Sequence, residues 1–525
     1  MVDRRAVLRW GLAGTLGVAL PGGTAAVAAG LPRRTNPAGP TAPSAAAKPP
    51  AGAFTVPLPV PAVLKPVSTA GGTDRYEIRQ TVAKHEFLPG LQSEIWGYNG
   101  IFPGPTIVAR RGRPVVVSHR NELPVPTVVH LHGGVLPPRE DGYPVDYVTP
   151  VGGTLEPGLA AHAQHGVAGS AVGSRDYTYA NDQPAASLWY HDHRMGFTGP
   201  SVYRGLAGFY LLGDEAEDAL PLPRGARDVP LMIADRAFSA GGALFYPFVD
   251  PSMRREGVTE QYHHSGMLGD TVTVNGVAWP VHEVDAALYR LRLLNASNAR
   301  TYRLELDPPP PGGNGFVQIG SDVGLLPKPV RYDMFVISPG ERYDVLVDFS
   351  RYQPGTKVVL RNNVGEANTA YVMRFDVARR VADDARIPET LTAAPPPSPR
   401  SEGVADRKFS FFIGPPGVKG PPLVNNQLFA IARVDAKPTF GSTEIWDLTA
   451  DATHPIHLHG AHFRILKRNG AAPEPQDGGW KDTVFVPNGG MRLAVSFTGY
   501  RGKYVFHCHN LEHGDAGMMV NVEVI

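Results

Sequence analysis

A chain of 525 residues is too long for one hydrophobic core and divides into about three domains. Its 50 basic and 49 acidic side chains nearly cancel, which excludes nucleic acid or an acidic surface as a partner recognised through bulk charge. The 59 Gly and 52 Pro suit a chain of turns and short strands, and an all-β fold is expected.

Asp3-Arg4-Arg5-Ala6-Val7-Leu8-Arg9 places paired arginines before an apolar stretch from Trp10 to Leu20, and Ala26-Val27-Ala28 offers a small-residue cleavage site. The stretch is shorter than the roughly 20 residues a membrane span needs. Residues 1–28 therefore read as a twin-arginine signal peptide, and residues 29–55, rich in Pro, Ala and Thr, as a linker. The mature protein is expected outside the cytoplasm, without a membrane span. Beyond the linker, Pro114-Val115-Val116-Val117-Ser118-His119-Arg120 and Arg290-Leu291-Arg292-Leu293-Leu294-Asn295 have strand character, and long helical periodicity is scarce.

The 18 histidines would give about 0.6 His-x-His pairs by chance, a rate against which such a motif is judged. The chain has four: His130/His132, His191/His193, His457/His459 and His507/His509. On a strand, residues two apart share a face. In VVHLHGG, His130 and His132 thus point one way while Val129 and Leu131 pack behind them. Eight imidazoles on four strands can converge on a small cluster of metal ions. HLHGG followed by WYHDH, and HLHGAHF followed by VFHCH, read as two copies of one unit, with the cluster between the first and last domains.

HCHNLEHGDAGMM, residues 507–519, holds the only cysteine. Exported thiols are usually paired in disulfides; Cys508 has no partner, and a metal would occupy it. Lying between His507 and His509, Cys508 points to the opposite face from both. His454 is three residues before His457 and leaves its face too. His454, Cys508, His513 and Met518 then form a second site, two imidazoles, a thiolate and a thioether, the blue-copper electron-transfer set. The Cys508 backbone joins the two sites.

With these motifs, and with DVPLMIADRAF, VNGVAWPVHEV, LRLLNASNARTYRLEL and GWKDTVFVP, residues 56–525 resemble the multicopper oxidases, most closely the bacterial spore-coat laccase and bilirubin oxidase branch. The resemblance implies three cupredoxin-like Greek-key β-domains, at 56–215, 220–380 and 400–525, the middle one without copper. It implies four copper ions: type 1 on His454, Cys508, His513 and Met518; type 2 on His130 and His457; one type 3 ion on His132, His191 and His509, the other on His193, His459 and His507. Aromatic reductants would give single electrons at type 1, which pass through Cys508 to His507 and His509, and O2 would be reduced to water. A monomer is expected. His85, His119, His162, His165, His263, His264, His282 and His462 fall outside the ligand pattern and read as surface or packing residues, and Met519 as core.

Two departures stand out. Many relatives carry an acid directly after the third type 1 histidine, where this chain has Gly514. Asp515 follows it, and Asp141, nine residues after His132, resembles an acid placed beside the trinuclear centre and is expected to relay protons; the alternative is a residue that opens the Asp141-Gly142 turn. The Gly/Ala-rich stretch Gly152–Ser174 reads as a disordered surface loop rather than a lid. Other readings of the chain are a cuprous-ion oxidase, disfavoured by only 10 methionines, an aminophenol-coupling oxidase, and a copper-free structural protein of the same fold, disfavoured because every ligand is present.

Overall fold

The computed structural model describes residues 48–250, 253, 257–259, 262, 264–393, 403–414 and 420–525. The expected signal peptide, most of the expected linker and His263 lie outside the described residues.

Strands dominate, in three successive pairs of sheets. In the first pair, one sheet joins Leu91–Tyr98, Asp74–Leu88, Val115–Asn121 and Ser174–Tyr179, and the other joins Gly104–Arg110, Ala207–Gly213, Ala186–Asp192 and Val129–His132. Residues 228–380 build the middle pair, of seven and five strands. The last pair has a five-stranded sheet and a four-stranded one that orders Thr483–Val486, His454–Leu458, Gly502–Cys508 and Met519–Val524. Each pair encloses its own core, around Trp96 and Leu188, around Leu291 and Phe375, and around Trp446 and Phe506. Each also contains a parallel pairing, such as Asp74–Leu88 with Val115–Asn121 and Arg407–Phe412 with Thr443–Ala450. Parallel neighbours cannot be joined by a hairpin, and between Asp74–Leu88 and Val115–Asn121 the chain visits the other sheet through Gly104–Arg110.

Sequence pattern accounts for much of this. Burial alternates from Asp74 to Gln80 as one face meets the core. The strand Leu288–Asn295, by contrast, is buried at every position. Its two arginines are tolerated because Arg290 meets Glu217 and Asp344, and Arg292 meets Asp228.

The stretch Gly152–Ser174 departs from expectation. It contains a helix, Pro157–Ala163, and a strand, Ala171–Val172, that pairs in parallel with Val148–Thr149. The buried Asp146 carboxylate accepts the N–H groups of Val167, Ala168 and Gly169 at 2.8, 2.9 and 3.1 Å. Leu155, Leu159, Ala163 and Val167 pack on a core that includes Tyr143, Tyr147, Val505 and Met519. One carboxylate organises three successive backbone donors here, which a Gly/Ala-rich composition conceals.

Candidate metal centre

Val129–His132 pairs antiparallel with Ala186–Asp192 so that His130 lies opposite His191. In the last sandwich His454–Leu458 pairs with Gly502–Cys508, and His457 lies opposite His507. The two copies therefore present their imidazoles in matching register, and the sheets meet face to face. His130 stacks on His459 with ring centroids 3.8 Å apart, and His132 on His457 at 3.6 Å. All eight paired histidines are buried and brought together.

Within that cluster, His193 Nε2 and His459 Nε2 each lie 3.2 Å from His507 Nε2, and His130 Nε2 lies 3.4 Å from His457 Nε2. The rings of His132, His191 and His509 stand 5.0 to 5.8 Å from one another. His130 also shares a possible ligand group with His132 and His191.

The thiolate cluster sits on the other face of the same strand. Cys508 Sγ is 3.4 Å from His454 Nδ1 and 3.6 Å from His513 Nδ1, and the Asn510 N–H points at it from 3.4 Å. Met518 is buried in the same core; its carbonyl accepts the Cys508 N–H at 3.1 Å and its N–H donates to His513 O at 2.9 Å. Met519 belongs instead to the core that receives the Gly152–Ser174 stretch. Among the remaining histidines, His119 is buried among Tyr98, Tyr177 and Tyr190, and His85 Nε2–H donates to Gly276 O, as packing residues do. His264 lends a backbone carbonyl, 3.3 Å from His513 Nε2.

Electrostatics fit the donor set to a cation. Burial pushes the imidazoles of His191 and His193 down to about 3, and those of His130, His132, His459, His507 and His509 well below the ordinary histidine value. His459 and His507 each commit Nδ1–H to an oxygen, so their Nε2 lone pairs face one another at 3.2 Å, an arrangement that a positive ion relieves. Ring nitrogens of His132, His191 and His509 have no hydrogen-bond partner, which suits ligands to copper. Burial also pushes the Cys508 thiol up, so a soft cation is what makes the thiolate tenable. The metal-free chain should therefore be acid-labile. Above about pH 6.5 both folded and unfolded histidines are neutral and stability is complete. As the pH falls from there towards 3, the unfolded chain binds protons that the folded chain refuses, at about 1.4 kcal/mol per pH unit for each fully shifted group. The metal-free protein's melting temperature should fall steeply between pH 6.5 and 4; a flat profile would contradict the buried-neutral assignment.

Asp141 is not simply a turn residue. It follows the 3-10 turn Pro138–Glu140, and Gly142 has φ +79, where a Cβ would strike Val129 O. Its carboxylate accepts His459 Nδ1–H at 2.8 Å and its carbonyl accepts His130 Nδ1–H at 2.6 Å. Burial, then Asp146, pushes its carboxyl well above the usual range. The other candidate acids are engaged elsewhere: Asp515 accepts the Thr198 and Gly199 N–H groups, and Glu512 is held by Tyr246, Met267 and Asn298. A cavity of about 10 Å³, room for roughly one water, lies between Gly514, Asp515, His193 and His507. Sequence reasoning missed Asp482, which accepts His132 Nε2–H at 3.0 Å and lies within GWKDTVFVP; no spacing rule ties it to a histidine 350 residues away.

Two stretches, residues 80–168 and 394–525, match the family description Multicopper oxidase. The chain is 36% identical to a laccase of Bacillus subtilis, over 89% of this chain and 97% of that protein. It is 35% identical to a bilirubin oxidase of Albifimbria verrucaria, over 89% and 80%. A crystal structure of a laccase from Pediococcus acidilactici is similar with a TM-score of 0.76 at 34% identity, covering 91% of this chain and 95% of that one. This chain belongs to the multicopper oxidases. It is thus a copper-dependent oxidoreductase of the all-β, cupredoxin-like class, and both clusters are built from ligand types that suit that metal.

Proposed function

We propose that the chain is a laccase-like oxidase that takes single electrons from phenols, aminophenols or related aromatics and passes four of them to O2, yielding two waters. The observation that carries this reading is the placement of Cys508, with its sulfur in the thiolate cluster and its neighbours His507 and His509 in the imidazole cluster. Four copper ions are proposed: type 1 on His454, Cys508, His513 and Met518, type 2 on His130 and His457, and the type 3 pair on His132, His191 and His509 and on His193, His459 and His507. Copper, when bound, supplies the one-electron centres, and imidazole suits both of its oxidation states.

The chain's own residues do the rest. Cys508 offers a covalent path to both flanking histidines, and the His507 Nδ1–H donates to Cys508 O at 2.9 Å, a second and shorter route between the clusters. Asp141 and Asp482 hold the orientation of His459 and His132, and burial keeps bulk water from both sites. In this reading residues 1–28 direct export by the twin-arginine route, 29–55 form a linker, and 56–215, 220–380 and 400–525 are the three domains of a secreted monomer. No helix among the described residues is long and apolar enough to cross a membrane.

An aromatic reductant is favoured over cuprous ion because the chain has only 10 methionines, none clustered beyond Met518-Met519. Steady-state rates on 2,6-dimethoxyphenol, bilirubin, o-aminophenol and Cu(I) test the substrate class. Higher kcat/KM for the organic donors is expected; a preference for Cu(I) would replace this reading with a cuprous-ion oxidase. Product analysis with o-aminophenol separates the aminophenol-coupling alternative.

A further inference from the structure

Two aspartates bracket the imidazole cluster in the same manner. Asp141 takes His130 Nδ1–H on its carbonyl and His459 Nδ1–H on its carboxylate. Asp482 takes His457 Nδ1–H on its carbonyl, at 2.9 Å, and His132 Nε2–H on its carboxylate, at 3.0 Å. Each aspartate serves the first histidine of its own His-x-His pair and the second histidine of the opposite copy. The copies differ in what stands behind the carboxylate. Behind Asp482 is Arg342, from the strand Arg342–Asp348 of the middle sandwich.

Arg342 is fully buried, and its Nη1 and Nη2 donate to the two Asp482 oxygens at 2.7 and 2.5 Å. Its other bonds go to the carbonyls of Ser187, Gly340 and Asp322, at 3.0, 3.0 and 2.9 Å, so one guanidinium ties all three sandwiches together. Next to it Lys481 meets Asp322 at 3.1 Å and Glu341 at 3.2 Å. Two glycines make room for this arrangement. At Gly133, φ +87, a Cβ would meet Arg342 Nη2 at 2.4 Å; at Gly340, φ +84, a Cβ would meet the rings of His132 and His509 at 3.1 Å. The middle sandwich therefore touches the cluster directly.

His132 is also turned differently from five of its neighbours. His130, His191, His457, His459 and His507 each occupy Nδ1 with a hydrogen bond. His132 occupies Nε2, and its Nδ1 has no partner. We propose that Arg342 is a positioning residue of the trinuclear centre: its two-nitrogen grip holds the Asp482 carboxylate on His132 Nε2 and thereby presents His132 Nδ1 to the metal. The middle sandwich, which offers no ligand group among its described residues, sets the donor atom of a ligand in the first. This rests on the copper-centre reading above. Without Arg342, the Asp322, Glu341 and Asp482 carboxylates would face Lys481 alone, a poorly compensated buried set.

The test compares the parent, Arg342→Lys and Arg342→Met, each as the full copper-loaded chain. Lysine keeps the charge but cannot grip both oxygens. Measured are copper per chain, the blue thiolate band, the paramagnetic resonance of type 2 copper, and the chelator concentration that strips non-blue copper. Arg342→Met is expected to keep the blue band and to lose non-blue copper at chelator concentrations about 10–100-fold lower. Arg342→Lys is expected to hold more copper than Arg342→Met, with a paramagnetic resonance spectrum altered by signal from an uncoupled type 3 ion. If Arg342→Met does not fold, Arg342→Lys decides alone: a parental spectrum and parental chelator midpoint overturn the proposal, even if its melting temperature drops. A parent chain lacking copper or blue colour would sink the copper-centre reading instead, which keeps the two failures distinct.

Discussion

Cys508→Ser is expected to lose the blue absorption and all O2-coupled turnover together, because both depend on one sulfur. A serine hydroxyl in that buried position offers copper neither a soft donor nor an accessible anion. The strand Gly502–Cys508 and its pairing with His454–Leu458 do not need the sulfur, so His507 and His509 should keep their places. The variant should accordingly retain copper in the imidazole cluster while losing the blue band. Absorption and metal content measured on one sample check this. Blue colour in the variant would remove Cys508 from the type 1 site.

Asp141→Asn is expected to separate the two halves of the reaction. The amide oxygen can still accept His459 Nδ1–H, and the backbone carbonyl that holds His130 is unchanged. What disappears is an exchangeable proton and a negative charge beside the cluster, at a position where Gly514 supplies neither. Anaerobic reduction of the blue site by a phenol should proceed at the parent rate, whereas reoxidation by O2 should slow by about 10–100-fold. Stopped-flow traces of the two half-reactions decide it. Parental reoxidation would leave Asp141 with only its orienting role and turn the search for the proton source to Glu512 and to Asp515 with the cavity beside it.

The parts legible in the sequence are those governed by short periods. His130 and His132 announce a shared strand face because side chains alternate with period two, and the same parity assigns Cys508 and His454 to the other face. The all-β class follows from Gly, Pro and alternating runs for a similar reason. Long-range partners carry no such signature. Arg342 meets Asp482 across 140 residues, and nothing in YDMFVISPGERYDV marks its guanidinium as a support for a histidine in another sandwich. Asp141 was noticed by its distance from His132, yet its grip on His459 spans 318 residues and depends on how two copies dock. The order of the Gly152–Ser174 stretch is not legible in its composition, because it comes from Asp146 outside it.

The meeting of His193 with His507 across 314 residues also bears on how the chain is made. At translation speeds of about 5–20 residues per second, His193 leaves the ribosome roughly 15–60 s before its partner. Throughout that interval His130, His132, His191 and His193 are without the four histidines of the last sandwich that complete their cluster. The strand Met519–Val524 is made later still and borders Gly502–Cys508 at the edge of that sheet. Neither cluster can therefore be complete before the last sandwich is made: a chain halted anywhere before Cys508 lacks the thiol, and one cut before Met519 exposes the edge of the strand that carries it.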